Sequence, residues 1–156
     1  SKDTDISVGA YHVLELDTDG TEQAEHFINA VGEDLSGRLI PAVEVRLRGL
    51  YRLLPPDYYE AADNLADFCD RIEKQYGVRP VIYCTERTYK NIVASDSRFN
   101  KDKIWYESLF SKPDEDMDWT FWTYTNRVKF SFYESGEYLH MTVFNGSEDD
   151  FKKLII

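Results

Sequence analysis

Short apolar, β-rich runs alternate with segments of helical period along most of the chain, and this alternation restricts the possible folds more than any other feature. "ISVGAYHVLEL" (6–16) reads as a strand and "DTDGT" as a turn; Ala24, Phe27, Ile28, Val31 and Leu35 then recur at helical spacing, with Thr21 the expected cap. "RLIPAVEV" (38–45) repeats the strand. After the "LLPP" punctuation, Ala62, Leu65, Phe68, Cys69, Ile72 and Tyr76 mark one face of a long helix that Gly77 should close. "RPVIYCT" (79–85) supplies a third strand, "ERTYKNIVAS" a third helix, and "KIWYES" (103–108) a fourth strand followed by the acidic loop "KPDEDMD". Strands and helices alternating at this length predict an α/β protein with a parallel sheet of βα units.

From Trp119 the pattern changes. "WTFWTYT", "VKFSFYES" and "EYLHMTVF" are strand-like with no helix between them, Ser135-Gly136 is a hairpin-turn signal, and "SEDDFKKLI" closes the chain as a short helix capped by Ser147. With 156 residues, the chain is expected to form one domain over 1–156, short of the about 250 residues of a full (β/α) barrel.

Composition narrows the partners. Eighteen Lys and Arg against 29 Asp and Glu give a formal charge of -11, which repels phosphate backbones and anionic lipid heads and argues against nucleic acid. No apolar run approaches the roughly 20 residues that insertion into a membrane requires. "SKDTDIS" has neither the basic nor the apolar region of a signal peptide, so any export signal is expected upstream. Cys69 and Cys84 read as buried thiols, with one disulfide left open, and no Cys/His spacing suggests a metal. The "DEDMD" run lacks EF-hand spacing and reads as a solvated loop. Eleven Tyr, nine Phe and three Trp supply core mass, and such rings also offer flat surfaces for sugars.

"IPAVEVRLRG" (40–49) sets one glutamate, Glu44, in an otherwise apolar strand. Alternation puts Ala42, Glu44 and Arg46 on one face and Val43, Val45 and Leu47 on the other. The branched residues should face the helices. Glu44 would then face an interior cleft at the carboxyl end of its strand, where βα folds bind ligands, and could serve as a general acid. The plainer reading is a structural carboxylate paired with Arg46 or Arg48. His12 reads as a satisfied core or rim histidine, and His26 as a surface residue.

"VGAYHV", "EQAEHFINAV", "IPAVEV", "YGVRPVIYCT", "KIWYESLF", "WTFWTYT" and "VFNGS" resemble, in this order, landmarks of the glycoside hydrolase family 25 lysozymes. The likeness runs from about Ile6 to Ser147. It implies a modified β/α barrel that cuts the β-1,4 bonds of peptidoglycan, without metal or organic cofactor, at the cell envelope or outside the cell. Glu44 falls on the family's proton-donating glutamate, the last member of an Asp-x-Glu motif whose first member is replaced here by Ala42. His140 stands where the family's last strand carries an aspartate, and Thr123 where a glutamine is usual. Tyr11, Tyr83, Trp105, Trp122 and Tyr124 resemble positions that line or support the glycan groove, core packing being the alternative for each.

Nothing in the chain matches the two βα units that the family carries ahead of "VGAYHV", so either the sequence is part of a longer one or the barrel is reduced. Exposed sheet edges would then be covered by a second copy or by the terminal hairpin. Glycoside cleavage needs more than protonation of the leaving oxygen. Glu15, Asp17, Asp19 and Glu107 are the available second carboxylates; without one, the chain would be a non-catalytic glycan-binding or protein-interaction module.

Overall fold

A computed structural model of the chain describes residues 6–129 and 138–156. Six strands form one sheet in sequence order: β1 (Tyr11–Val13), β2 (Ala42–Val45), β3 (Val81–Thr85), β4 (Ile104–Glu107), β5 (Phe121–Val128) and β6 (Leu139–Phe144). The first five run parallel, and β6 returns antiparallel to β5. Helices α1 (Gly20–Val31) and α2 (Tyr58–Tyr76) fill the first two crossovers, and α3 (Glu86–Thr88) opens the third. A last short helix, α4 (Glu148–Lys152), follows β6 with Ser147 as its cap. The architecture is an incomplete β/α barrel: among the described residues β1 and β6 do not pair, and the sheet stays open. Ser135-Gly136 lies outside the described residues.

Alternation in the strands decides which way each side chain points. Val43, Val45, Ile82 and Cys84 enter the helix layer, where Leu65, Phe68 and Ile72 of α2 meet Ala24 and Phe27 of α1; nearly all are inaccessible to solvent. Burying side chains of this size stabilises by about 1.5–3 kcal/mol each. The His12 ring stacks on Phe68 with centroids 4.9 Å apart, while its Nε2 donates to Gln23 Oε1 at 3.0 Å, so this histidine is packed and satisfied. Cys69 and Cys84 are both free and buried, and burial pushes both thiols upward, away from the reactive thiolate.

Helix ends correct the sequence reading at two places. Asp19, not Thr21, caps α1, accepting from the Glu22 amide at 2.8 Å. The next residue must be glycine, because a Cβ on Gly20 would lie 1.9 Å from the Asn64 carbonyl oxygen of α2. The same helix stops at Val31; Leu35 is buried beyond Gly32 as part of the connection to β2. Gly77 does close α2, in the left-handed conformation at φ 74°. "ERTYKNIVAS" is one turn of α-helix that widens into a π-helical turn over Tyr89–Val93, with the Ala94 amide bonded to the Tyr89 carbonyl at 2.8 Å.

At the amino ends of the strands, the chain's last residues bond to the segment ahead of β2. Ile40 N–H donates to Leu154 O at 2.8 Å, Gly37 N–H to Ile156 O at 2.7 Å, and Ile156 N–H to Arg38 O at 2.9 Å. The opposite end of the sheet, where the parallel strands finish, is left to the loops.

Candidate active site

All six strands contribute to one concavity on the face away from the helices. Its volume is about 710 Å³, and it is lined by Tyr11 of β1, Ala42 and Glu44 of β2, Tyr83 of β3, Trp105 of β4, Thr123 of β5, and His140 and Thr142 of β6, with Arg46, Arg48 and Arg52 from the loop after β2. A trough of this size holds a ligand of a few rings. Parallel register carries Glu44 opposite Tyr83, and Tyr83 opposite Trp105, so the acid and two aromatic rings stand in one row across the sheet. The Tyr83 and Trp105 rings are in contact, centroids 4.7 Å apart.

Glu44 is 6% exposed. A carboxylate so buried needs partners for both oxygens, and it has them. Arg46 Nε donates to one oxygen at 2.7 Å and Arg48 Nη2 to the other at 3.0 Å. Arg46 also spans the site: its Nη2 donates to Glu107 Oε2 at 2.6 Å and to the Tyr83 hydroxyl at 3.1 Å. The Tyr83 hydroxyl in turn donates to Glu107. One guanidinium therefore holds two carboxylates, one from β2 and one from β4.

These contacts set the ionisation of the cluster. Burial alone would raise the Glu107 carboxyl, but the hydrogen bonds from Arg46 and Tyr83 and the charge of Arg46 outweigh it and hold the group below the ordinary glutamate range. Burial, joined by the bond to Glu107, pushes the Tyr83 phenol well upward, so it stays a neutral donor. Arg46 is raised: burial works against its charge, and Glu107 more than compensates.

On the far side, Trp105 Nε1 donates to Thr123 Oγ1 at 2.8 Å, and Thr123 and Thr142 share a hydroxyl hydrogen bond of 2.7 Å. These threonines close the wall where β6 returns antiparallel to β5.

Of the residues singled out in the sequence, the trough gathers Glu44, Tyr11, Tyr83, Trp105, Ala42 and His140. Trp122 and Tyr124 are not among its lining. They flank Thr123 on β5 and point to the opposite face, where Trp122 packs on the core and donates to Ser108 O at 3.0 Å, and Tyr124 is 41% exposed. Ala42 turns a methyl group toward the trough beside Glu44, without polar function. Among the alternative carboxylates, Asp19 is spent on its helix cap and Asp17 accepts from the Tyr51 hydroxyl at 2.5 Å, while Glu15 is exposed. Glu107 alone reaches the cluster, through Arg46 and Tyr83. Arg46 and Arg48, the partners expected for Glu44 as a structural carboxylate, both pair with it, while sequence reasoning missed Arg52 and Thr142. Among the described residues no three His, Cys, Asp or Glu side chains gather as a metal site would require.

The family model of the glycosyl hydrolases family 25 matches residues 1–131. Among solved structures, a family 25 glycosyl hydrolase from Bacillus anthracis is similar at 31% identity and a TM-score of 0.85, over 99% of this chain and 71% of that one. The bacterial lysozyme from Streptomyces coelicolor shares the fold at 23% identity and a TM-score of 0.75, over 94% and 71% of the two chains. A GH25 lysozyme from Aspergillus fumigatus does so at 19% and 0.72, over 94% and 72%. No curated protein matches the chain.

Proposed function

The chain belongs to glycosyl hydrolase family 25, and from that membership we propose a lysozyme-type glycoside hydrolase that cleaves β-1,4 bonds of peptidoglycan with Glu44 as its proton donor. One observation carries the assignment of the residue: a buried glutamate at the carboxyl end of β2, facing a trough of about 710 Å³ beside two aromatic rings. Tyr83 and Trp105 give the trough an aromatic wall against which a pyranose can pack, and Tyr11 extends that wall at the β1 edge.

In this reading Glu44 delivers a proton to the glycosidic oxygen as the bond breaks. Both its oxygens accept from guanidiniums, so Glu44 must take up a proton before it can give one; entry of the glycan displaces Arg48, the more exposed of the pair at 54% against 25% for Arg46, and frees the oxygen that carries that proton. Positive charge then develops at the anomeric carbon and needs a partner. Ala42 supplies none, and Glu107 is already neutralised by Arg46. That task falls to the substrate's own acetamido oxygen, which closes on the anomeric carbon in the space beside the Ala42 methyl as the glycosidic bond breaks; water then opens the oxazolinium ion and gives its proton back to the Glu44 carboxylate.

A second reading, a glycan-binding module without turnover, is favoured by that same methyl group and by the doubly held Glu44. Release of soluble muropeptides from purified walls separates the two. The hydrolase reading expects release by the wild type and its loss, at least 100-fold, in Glu44→Gln with an unchanged circular dichroism spectrum. Walls that are bound but never cut by the wild type would select the binding module, and full activity in Glu44→Gln would remove Glu44 from the role.

A further inference from the structure

We propose that Arg52 and Arg87 form an oxyanion subsite beside the trough, one that takes a phosphate-like or carboxylate substituent of the glycan. A separate cavity of about 230 Å³ opens at the same end of the sheet, lined by Arg46, Leu47, Arg52, Thr85 and Arg87. It adjoins the trough, with Arg46 and Arg52 belonging to both. Three of its five lining side chains are guanidiniums and none is a carboxylate, in a chain of net charge -11.

Ion pairing distinguishes the three. Arg46 is neutralised by Glu44 and Glu107. Among the described residues, neither Arg52 nor Arg87 has a carboxylate within salt-bridge distance; Glu86, the nearest in sequence, is taken by Lys90 at 2.5 Å. Arg87 Nη1 instead donates to the Arg52 carbonyl at 3.2 Å, tying the loop after β2 to the start of α3 and bringing two uncompensated cations to one small cavity. Like charges repel there, and an anion between them would relieve the repulsion. Guanidinium forks fit the oxygens of phosphates and carboxylates, and the carboxyl ends of β2 and β3 are where βα folds gather ligand groups. The volume is ample for one such group.

The subsite rests on the hydrolase reading only for the glycan that would carry the anion; binding of the anion itself needs no turnover. Calorimetric titration of inorganic phosphate, and separately of acetate, at constant ionic strength should give saturable one-site binding that Arg52→Gln and Arg87→Gln each weaken about tenfold, with Lys101→Gln unchanged. Heats no different from those of chloride, or an affinity unaltered in both arginine variants, would overturn the proposal. Cosedimentation with purified walls identifies the source. Binding lost after removal of wall phosphate polymers marks a phosphate, and binding lost after amidation of stem-peptide carboxyls marks a carboxylate. Indifference to both treatments in wild type and variants alike would count against the subsite. Walls bound through these arginines yet never cut would sink the hydrolase reading and leave the subsite standing.

Discussion

Val43 and Val45 point from β2 into the helix layer, whereas Ala42 and Glu44, on the same four-residue strand, are almost as dry and face the trough. The outer pair is held by apolar area, which has no direction and tolerates exchange of one hydrocarbon for another. On the inner face Glu44 is held by two guanidiniums, one of which also serves Glu107, so each group depends on a particular neighbour. Loss of a contact on the outer side leaves a void, while on the inner side it leaves an uncompensated charge.

The largest loss is expected at Phe68. Truncation to alanine should destabilise by about 3–5 kcal/mol in urea unfolding with no carboxylate left unpaired; a loss under 1 kcal/mol would mean that the outer face is not the principal core. Arg46→Met should lose somewhat less, about 2–4 kcal/mol at neutral pH, because it leaves buried Glu107 with no cation, only the Tyr83 hydroxyl, and Glu44 with Arg48 alone. Unlike the Phe68 deficit, this one should shrink in acid, where protonation removes the stranded charges; a deficit constant from pH 7 to pH 4 would refute the bridging role.

The smallest effect is expected from acid titration of the wild type. The folded-state pKa of Glu107 is depressed from its ordinary 4.5, so its contribution is complete above about pH 4.5 and is lost as pH falls through the lower folded value. A Glu107→Gln variant should therefore show a flatter decline of stability below pH 4.5, by about 1 kcal/mol or less. Parallel curves for the two proteins would show that Glu107 is not held as described.

Alternation and helical period made the outer face legible: the Val43/Val45 face, the apolar stripe of α2 and its Gly77 stop all follow from local spacing. Glu44 and Ala42 were legible as an inward pair for the same reason. The pairing of Arg46 with Glu107 was not, since it joins residues 61 apart in the chain and depends on two intervening strand registers that no local pattern encodes. Trp122 and Tyr124, for which core packing was the alternative to lining or supporting the groove, show where likeness and local pattern diverge. Their aromatic character and family likeness suggested the groove, while alternation around Thr123 puts both on the other side. Asp19 displaced Thr21 as cap because Gly20 must begin the helix where α1 meets α2, a tertiary constraint that cap preferences do not contain.

The bonds from Leu154 and Ile156 to the stretch before β2 have a temporal consequence. A ribosome delivers residues 37–40 long before their partners, so while synthesis proceeds Gly37 and Ile40 have amides with no mate, and the base of the sheet is stitched only when residue 156 emerges. Closure of this part of the molecule therefore waits on residues more than a hundred positions later in the chain, however early the strands themselves form.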